Sequence, residues 1–200
     1  MLLRNYSKSE KIMIIGLTGS YCSGKDTVAE YLVENKGFTH YSLSDVIRDE
    51  MRSKGIEVTR ENLIREGTAL RANNGNAVLA VLALKKCAPE ENCIISSIRH
   101  PAEVVELKKR NDFILVNVDA PERLRFERMQ KRNRENDPRT FELFQEFEKR
   151  ESQTEGPGQQ VTESIKMADI VLVNDAGTLE ELHAKIEKVL TECSRRTGEI

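Results

Sequence analysis

The segment Gly16-Leu17-Thr18-Gly19-Ser20-Tyr21-Cys22-Ser23-Gly24-Lys25-Asp26-Thr27 constrains this chain more than any other. Ahead of it, Ile12-Met13-Ile14-Ile15 is a short apolar run of the kind a buried parallel strand shows. Behind it, Val28-Ala29-Glu30-Tyr31-Leu32-Val33 carries the apolar spacing of a helix packed on a sheet. Between them, Gly19 to Lys25 fits G-x-x-x-x-G-K. Glycines let a backbone curl closely around an anion, successive N–H groups then point inward, and the following helix adds its positive end. Gly19, Ser20, Tyr21, Cys22, Ser23, Gly24, Lys25, Asp26 and Thr27 are therefore the candidate contacts to the phosphates of a nucleoside triphosphate, ATP being the expected donor. Lys25 is read as the mobile charge that reaches the β- and γ-phosphates. A glycine-rich turn that binds nothing is the plain alternative; strand, loop and helix together weigh against it.

One position departs from the pattern. A Ser or Thr that places a hydroxyl on Mg²⁺ usually follows the lysine, whereas here Asp26 does and Thr27 comes one residue later. One helical step turns a side chain by about 100°, so Thr27 does not simply take over.

The length of 200 residues suits a single domain with a proper core. Charged residues make up 32% and hydrophobic ones 38%, the balance of a water-facing chain. A net charge of -2 gives no general attraction to nucleic acid or to acidic membranes. No apolar run approaches the ~18 residues of a membrane span. Residues 1–11 are polar and mixed in charge, and are expected to form a frayed tail ahead of a domain over 12–200. Cys22, Cys87, Cys93 and Cys193 are scattered without a C-x-x-C pair, which suits a reducing cytoplasm.

Along the chain, residues 37–43 alternate like a second strand, and Ser44 looks like the N-cap of a helix reaching about Met51. Helical patterns cover about 60–70 and 77–86, broken by Asn73-Asn74-Gly75-Asn76. Cys93-Ile94-Ile95 is a third strand, Pro101 opens a helix, and residues 113–118 are a fourth strand. A long charged helical stretch runs to about Arg150, Glu155-Gly156-Pro157-Gly158 breaks it, 169–173 is a fifth strand, and 179–190 closes the chain as an amphipathic helix. Short apolar strands alternating with helices indicate an α/β three-layer sandwich with a five-stranded parallel sheet. Functional residues are then expected just after strands, at 44–48, 96–99, 119–132 and 174–178.

Arginine occupies three of those places. Arg48 and Arg99 each follow a strand by a few residues, where a second, phosphorylated substrate would lie, and two converging guanidinium groups make an anion clamp. Arg123, Arg125, Arg128, Lys131, Arg132 and Arg134 crowd one stretch with only Glu122 and Glu127 as acids. Phosphoryl transfer depends on positioning and charge neutralisation, and an arginine-rich lid supplies both. Arg128 and Arg132, four apart and on one helical face, are read as catalytic. Arg125 and Arg134 are read as members of a solvated face.

These segments carry a resemblance. Leu43-Ser44-Asp45-Val46-Ile47-Arg48 resembles the T-G-D-M-L-R segment of adenylate kinases, whose arginine holds the acceptor phosphate. Ser96-Ser97-Ile98-Arg99-His100-Pro101 resembles their D-G-x-P-R segment, and Val118-Asp119-Ala120-Pro121 leading to Arg128 and Arg132 resembles the approach to their lid. The G-K-x-T arrangement is similar to the G-K-G-T of nucleoside monophosphate kinases. Gln159-Gln160 through Asn174-Asp175-Ala176-Gly177 is similar to dephospho-CoA kinases, in which the Asn–Gly turn lies beside the adenine of ATP. From Ile12 to Leu190 the chain looks like the group of small P-loop kinases that holds both families.

The resemblance implies a P-loop fold with an acceptor-binding helical region at about 44–90 and a lid at about 121–158. It implies adenine contacts from Asn174 and Gly177, and acceptor binding by Asp45, Arg48 and Arg99, with Asp45 also a catalytic candidate. Where these families carry an Asp at the end of the third strand, this chain has Ser96. That Asp normally holds Mg²⁺ through water, so metal binding leans on Asp26, on Asp45 or on the triphosphate itself, and activity is expected to be weakened or lost if these do not compensate.

The expected activity is ATP-dependent transfer of the γ-phosphoryl group to a nucleoside or deoxynucleoside monophosphate. Transfer to a sugar hydroxyl, as in dephospho-CoA kinases, and nucleotide sensing without transfer, motivated by Ser96, stay open. The expected partners are a nucleotide-like acceptor and, at most, a second copy of the chain. Cys22, at a helix N-terminus beside the phosphate site, raises a redox switch against the plainer reading of a loop residue. His100 adjoins Arg99 and is a candidate substrate contact.

Overall fold

In a computed structural model, residues 12–133, 137–152, 156–175 and 177–198 are described; the tail expected over 1–11 and Arg134 lie outside them. The elements run β1 (Ile14–Thr18), α1 (Lys25–Lys36), β2 (Thr39–Ser42), α2 (Leu43–Ser53), α3 (Arg60–Asn74), α4 (Val78–Leu84), β3 (Cys93–Ser96) and α5 (Pro101–Leu107). They continue with β4 (Phe113–Asp119), α6 (Glu122–Arg132), α7 (Phe141–Ser152), α8 (Val161–Lys166), β5 (Ile170–Val173) and α9 (Leu179–Thr197).

Side-chain alternation in the inner strands builds two cores. Ile15 and Leu17 of β1, Ile94 of β3 and Ile114, Val116 and Val118 of β4 face α1 and α9, meeting Val28, Leu32, Leu182 and Ile186. Ile14, Cys93, Ile95, Phe113 and Leu115 face the other way, onto Leu43, Val46 and Met51 of α2, Leu79 and Ala83 of α4, and Val104 and Leu107 of α5. Strands covered on both faces read as near-continuous apolar runs, as parallel strands under two helical layers must.

The sheet is parallel in the order β2-β3-β1-β4-β5. This is the three-layer α/β sandwich the alternation predicts. β1 lies at the centre, and the chain crosses from β3 to β4 over it, so the loop after β1 opens at a topological switch point. None of the described helices is long and apolar enough to cross a membrane.

Several boundaries differ from the sequence reading. β1 starts at Ile14 rather than Ile12 and runs on to Thr18. The cap of α2 is Ser42, whose Oγ accepts from the Ser44 N–H at 3.2 Å, so Ser44 lies inside the helix. The charged stretch ahead of residue 150 forms two helices. α6 is capped by Asn133, in the left-handed region at φ 48°, and α7 packs back through a cluster of Phe126, Phe141 and Phe144, with Phe126 5.6 and 5.7 Å from the other two ring centroids. The closing helix extends beyond Leu190 to Thr197.

Candidate active site

Two glycines shape the loop between β1 and α1. Gly19 holds φ +135°, and a Cβ there would sit 2.2 Å from the Val118 carbonyl oxygen. Gly24 holds φ +99°, and a Cβ there would sit 2.2 Å from Asn174 Nδ2. Each position thus excludes side chains by conformation and by contact. Lys25 Nζ donates to the carbonyl oxygens of Gly19 (2.8 Å) and Ser20 (2.7 Å) and to Ser23 Oγ (3.3 Å). Burial, reinforced by the Arg99 guanidinium, pushes the Lys25 ammonium down to about 7, while Asp26 opposes the shift. Asp26 is exposed in the first turn of α1, and Thr27 is half-buried beside it. Burial pushes the Cys22 thiol up even with Arg132 and Lys25 opposing, which leaves the redox reading without an activated thiolate.

Behind the loop, Asn174 Nδ2 donates to the Ser23 carbonyl at 2.8 Å. Arg128 reaches the same place, with Nη2 3.1 Å from both the carbonyl and the side-chain oxygen of Asn174 and Nη1 3.4 Å from the Ser23 oxygen. Asn174 and Arg128, predicted from different segments, therefore meet at the turn that opens α1. Gly177 lies apart and exposed, its N–H donating to Glu181 Oε2 at 3.0 Å.

Two clefts open on the front of the loop. The first, about 320 Å³, lies between Gly19, Ser20, Tyr21 and Lys25 on one side and Glu148, Lys149, Val161 and Ile165 of α7 and α8 on the other. The second, about 370 Å³, has an apolar wall of Leu43, Ile47, Val58, Leu63, Ile64 and Leu79, and carries Arg48, Arg60, Arg71 and Arg99. Tyr21 and Arg99 line both.

The second cleft rests on a buried polar frame. Glu103 takes Arg71 Nε and Nη2 on one oxygen (2.9 and 2.7 Å) and the backbone N–H groups of Arg99 and His100 on the other (3.0 and 3.1 Å). This fixes the backbone that presents Arg99, whose Nη1 donates to Gln159 Oε1 at 2.9 Å. His100, proposed above as a substrate contact, is instead 3% exposed; its Nδ1 accepts from the Ala102 N–H at 3.1 Å and its Nε2 meets the Gly156 carbonyl at 2.9 Å. It caps α5. Arg48 lines the cleft while bonded to Asp45 Oδ1 at 2.7 Å.

At the end of β3, Ser96 Oγ lies 2.7 Å from His40 Nε2, and burial pushes His40 below its ordinary value although Asp45 and Asp26 both pull it up. Ser96, His40, Asp45 and Asp26 thus share one neighbourhood. Among the described residues no group of three or more His, Cys, Asp or Glu side chains is arranged to hold a metal. An Mg²⁺ that keeps its waters and phosphate oxygens needs only one or two protein carboxylates, and exposed Asp26 fits that need.

The arginines of α6 have separate surroundings. Arg125, read from sequence as solvated, is 7% exposed: its Nε donates to the Ala120 carbonyl at 2.9 Å, it pairs with Glu148, and it lies over the Phe144 ring at 5.5 Å. Arg132 bonds the Tyr21 hydroxyl, reaches both Asp137 oxygens at 3.0 Å and stacks over the Tyr21 ring at 4.8 Å. Nothing in the sequence singles out Arg60, Asp137 or Glu148 as lining these clefts, or Phe147 as a ring under Arg60.

Residues 15–156 match the family described as AAA domain. A UPF0200 protein of Hyperthermus butylicus is 35% identical over 190 residues, spanning 94% of this chain and 95% of the relative. Among solved structures, a shikimate kinase from Bacteroides thetaiotaomicron superposes with a TM-score of 0.57 at 14% identity, covering 91% of this chain and 98% of that one. A gluconokinase from Sinorhizobium meliloti does so with a TM-score of 0.52 at 17% identity, covering 92% and 94%. At these identities the two kinases share the fold.

Proposed function

The chain belongs to the AAA domain family and to the UPF0200 proteins, and on that premise we propose that it is an ATP-dependent phosphotransferase acting on a nucleoside or deoxynucleoside monophosphate. One observation carries the reading: two clefts meet at the loop after β1, and Tyr21 and Arg99 belong to both. A group transferred between substrates in these clefts passes beside Arg99.

In this reading the loop N–H groups and Lys25 hold the β- and γ-phosphates of ATP, while the turn from Asn174 to Gly177 is assigned to its adenine. Lys25, half-discharged near neutral pH, becomes fully charged against the phosphates. Asp26 would hold Mg²⁺, which neutralises charge on the β- and γ-oxygens. Arg48 and Arg99 take the acceptor phosphate, and the apolar wall from Leu43 to Leu79 takes its base. The α6–α7 hairpin serves as the lid, with Arg128 and Arg132 brought to the transferring group on closure. A monophosphate is already ionised near neutral pH, its second pKa being about 6, so Asp45 orients rather than abstracts a proton.

A second reading, transfer to a sugar or polyol hydroxyl, draws on the fold shared with a shikimate kinase and a gluconokinase. Asp45, after β2, would then be the general base. ADP release with ATP and Mg²⁺ separates the readings over a panel of mononucleotides, dephospho-CoA, shikimate and gluconate. Turnover with a mononucleotide is expected. Turnover with a hydroxyl acceptor alone favours the second reading, and ATP binding without turnover on any acceptor overturns both.

A further inference from the structure

We propose that Arg71 reads the base of the acceptor: held by Glu103, its guanidinium donates into the second cleft and selects a base with two adjacent hydrogen-bond acceptors on one edge, N7 and O6 of guanine or N3 and O2 of cytosine. This rests on the mononucleotide reading above and narrows the substrate class within it.

The α3 residues that line the second cleft are Arg60, Leu63, Ile64, Gly67 and Arg71, one face of the helix at spacings of three and four. The stripe is charged only at its ends. Arg60 marks the end at the phosphate loop, 4.5 Å from the Tyr21 ring centroid. Arg71 follows about 16 Å further along the axis at the helical rise, past Leu63 and Ile64. An acceptor phosphate held beside the loop leaves the base for the Arg71 end.

Arg71 is 4% exposed and Glu103 fully buried. One Glu103 oxygen takes Nε and Nη2 of Arg71, at 2.9 and 2.7 Å. Nη1 donates to none of the described residues and still keeps some accessible surface, which opens on the cleft that Arg71 lines. A Cβ on Gly67 would stand 3.6 Å from Nη1 and 2.9 Å from Ile47 Cδ1, and both Gly67 and Ile47 line the same cleft. A guanidinium gripped along its Nε–Nη2 edge presents parallel N–H bonds of Nη1 and Nη2 on the next edge, a fork that fits two adjacent acceptors.

Glu103 neutralises the guanidinium from behind. The fork therefore offers donors without net charge inside an apolar wall, which suits a neutral base edge better than a second anion. It can only donate. Adenine sets an amino donor beside N7, and uracil sets an N–H beside each carbonyl, so either base turns a donor toward a donor. A buried mismatch of that kind is costly.

Binding of GMP, CMP, AMP and UMP is measured by calorimetry without ATP, so the result does not depend on turnover. GMP or CMP should bind about tenfold to a hundredfold more tightly than AMP and UMP. A GMP preference that is lost in 7-deaza-GMP assigns guanine, and a CMP preference assigns cytosine. Arg48→Ala, at the phosphate, should weaken all four alike. Removing Arg71 alone strands a buried carboxylate, so the test variant joins Arg71→Met to Glu103→Gln, which should level the four affinities with Tm close to wild type. Arg71→Lys keeps the charge without the fork and should recover little of the preference. Equal affinities in wild type, a preference for AMP or UMP, a GMP preference that persists in 7-deaza-GMP, or a preference that survives the double variant overturns the proposal and leaves the mononucleotide reading standing. Equal weakening of all four in the double variant with a lowered Tm marks a structural strut and overturns it too. If none of the four binds, the proposal and the mononucleotide reading fall together, and Arg71-dependent binding of shikimate or gluconate would give the guanidinium a carboxylate instead.

Discussion

The loop after β1 and the α6–α7 hairpin above it are built by different rules. In the loop, backbone geometry settles the motif residues: Gly19 and Gly24 are held at positive φ, closely packed on Val118 and Asn174, and Lys25 folds onto carbonyls five and six residues back. In the hairpin, Arg125, Arg128 and Arg132 share one helix at spacings of three and four, yet each does something else. Arg125 is buried against Ala120 and Glu148, Arg128 ties Asn174 to the loop, and Arg132 grips Tyr21 and Asp137. Helical spacing decides which side chains share a face; what that face docks against decides their work.

The largest effect is expected in the loop. Lys25→Ala should lower kcat by about 10²–10³ or more, because it removes charge placed where the transition state needs it; steady-state rates alongside an unchanged circular dichroism spectrum check this. Around the loop, single arginines should matter less and in distinct ways. Arg48→Ala should raise the acceptor KM about ten- to a hundredfold with the ATP KM little moved. Arg128→Ala should lower kcat with modest KM effects, and a rise in the ATP KM alone would place it wholly with the donor.

A pH titration sharpens the contrast further. Free Lys25 titrates at about 7, and bound phosphates hold it protonated, so binding takes up a proton above that pH. Between about pH 7.5 and 9, where ATP is fully ionised, affinity should fall by about tenfold per unit. Lys25→Arg should flatten the slope, since an arginine stays charged throughout. The smallest effect is expected at Asp45: Asp45→Asn should cost little in kcat if the acceptor is a monophosphate, with partial recovery at higher Mg²⁺. A loss of about 10²–10⁴, the worth of a general base, with no recovery would instead favour a hydroxyl acceptor.

What the sequence made legible follows the same division. The inner strands β1, β3 and β4 and the loop are legible because burial on both faces and a positive-φ turn leave a local imprint. Sequence does not separate Ser44 from Ser42 as the cap of α2, since either serine precedes the same apolar face and only the backbone at Ser42, φ -99° and ψ 133°, distinguishes them. Arg125 looked like surface charge because Glu148 and Phe144, which bury it, come from the next helix. His100 looked like a ligand because it follows Arg99, while its carbonyl partner at Gly156 is 56 residues away. Tyr21 stood in the motif as one more loop residue, and the contacts that make it the junction of two clefts come from α3, α6 and α7.

If a phosphoryl group crosses from one cleft to the other past Arg99, it can be followed by its label. The protein is incubated with ATP labelled at the γ-phosphorus, Mg²⁺ and the best acceptor of the mononucleotide panel, and the label is located by separating the products. Label is expected in a diphosphate product, lost in Lys25→Ala and restored in Arg48→Ala by raising the acceptor concentration. Label found only in inorganic phosphate, or remaining in ATP while ATP is bound, would contradict that crossing.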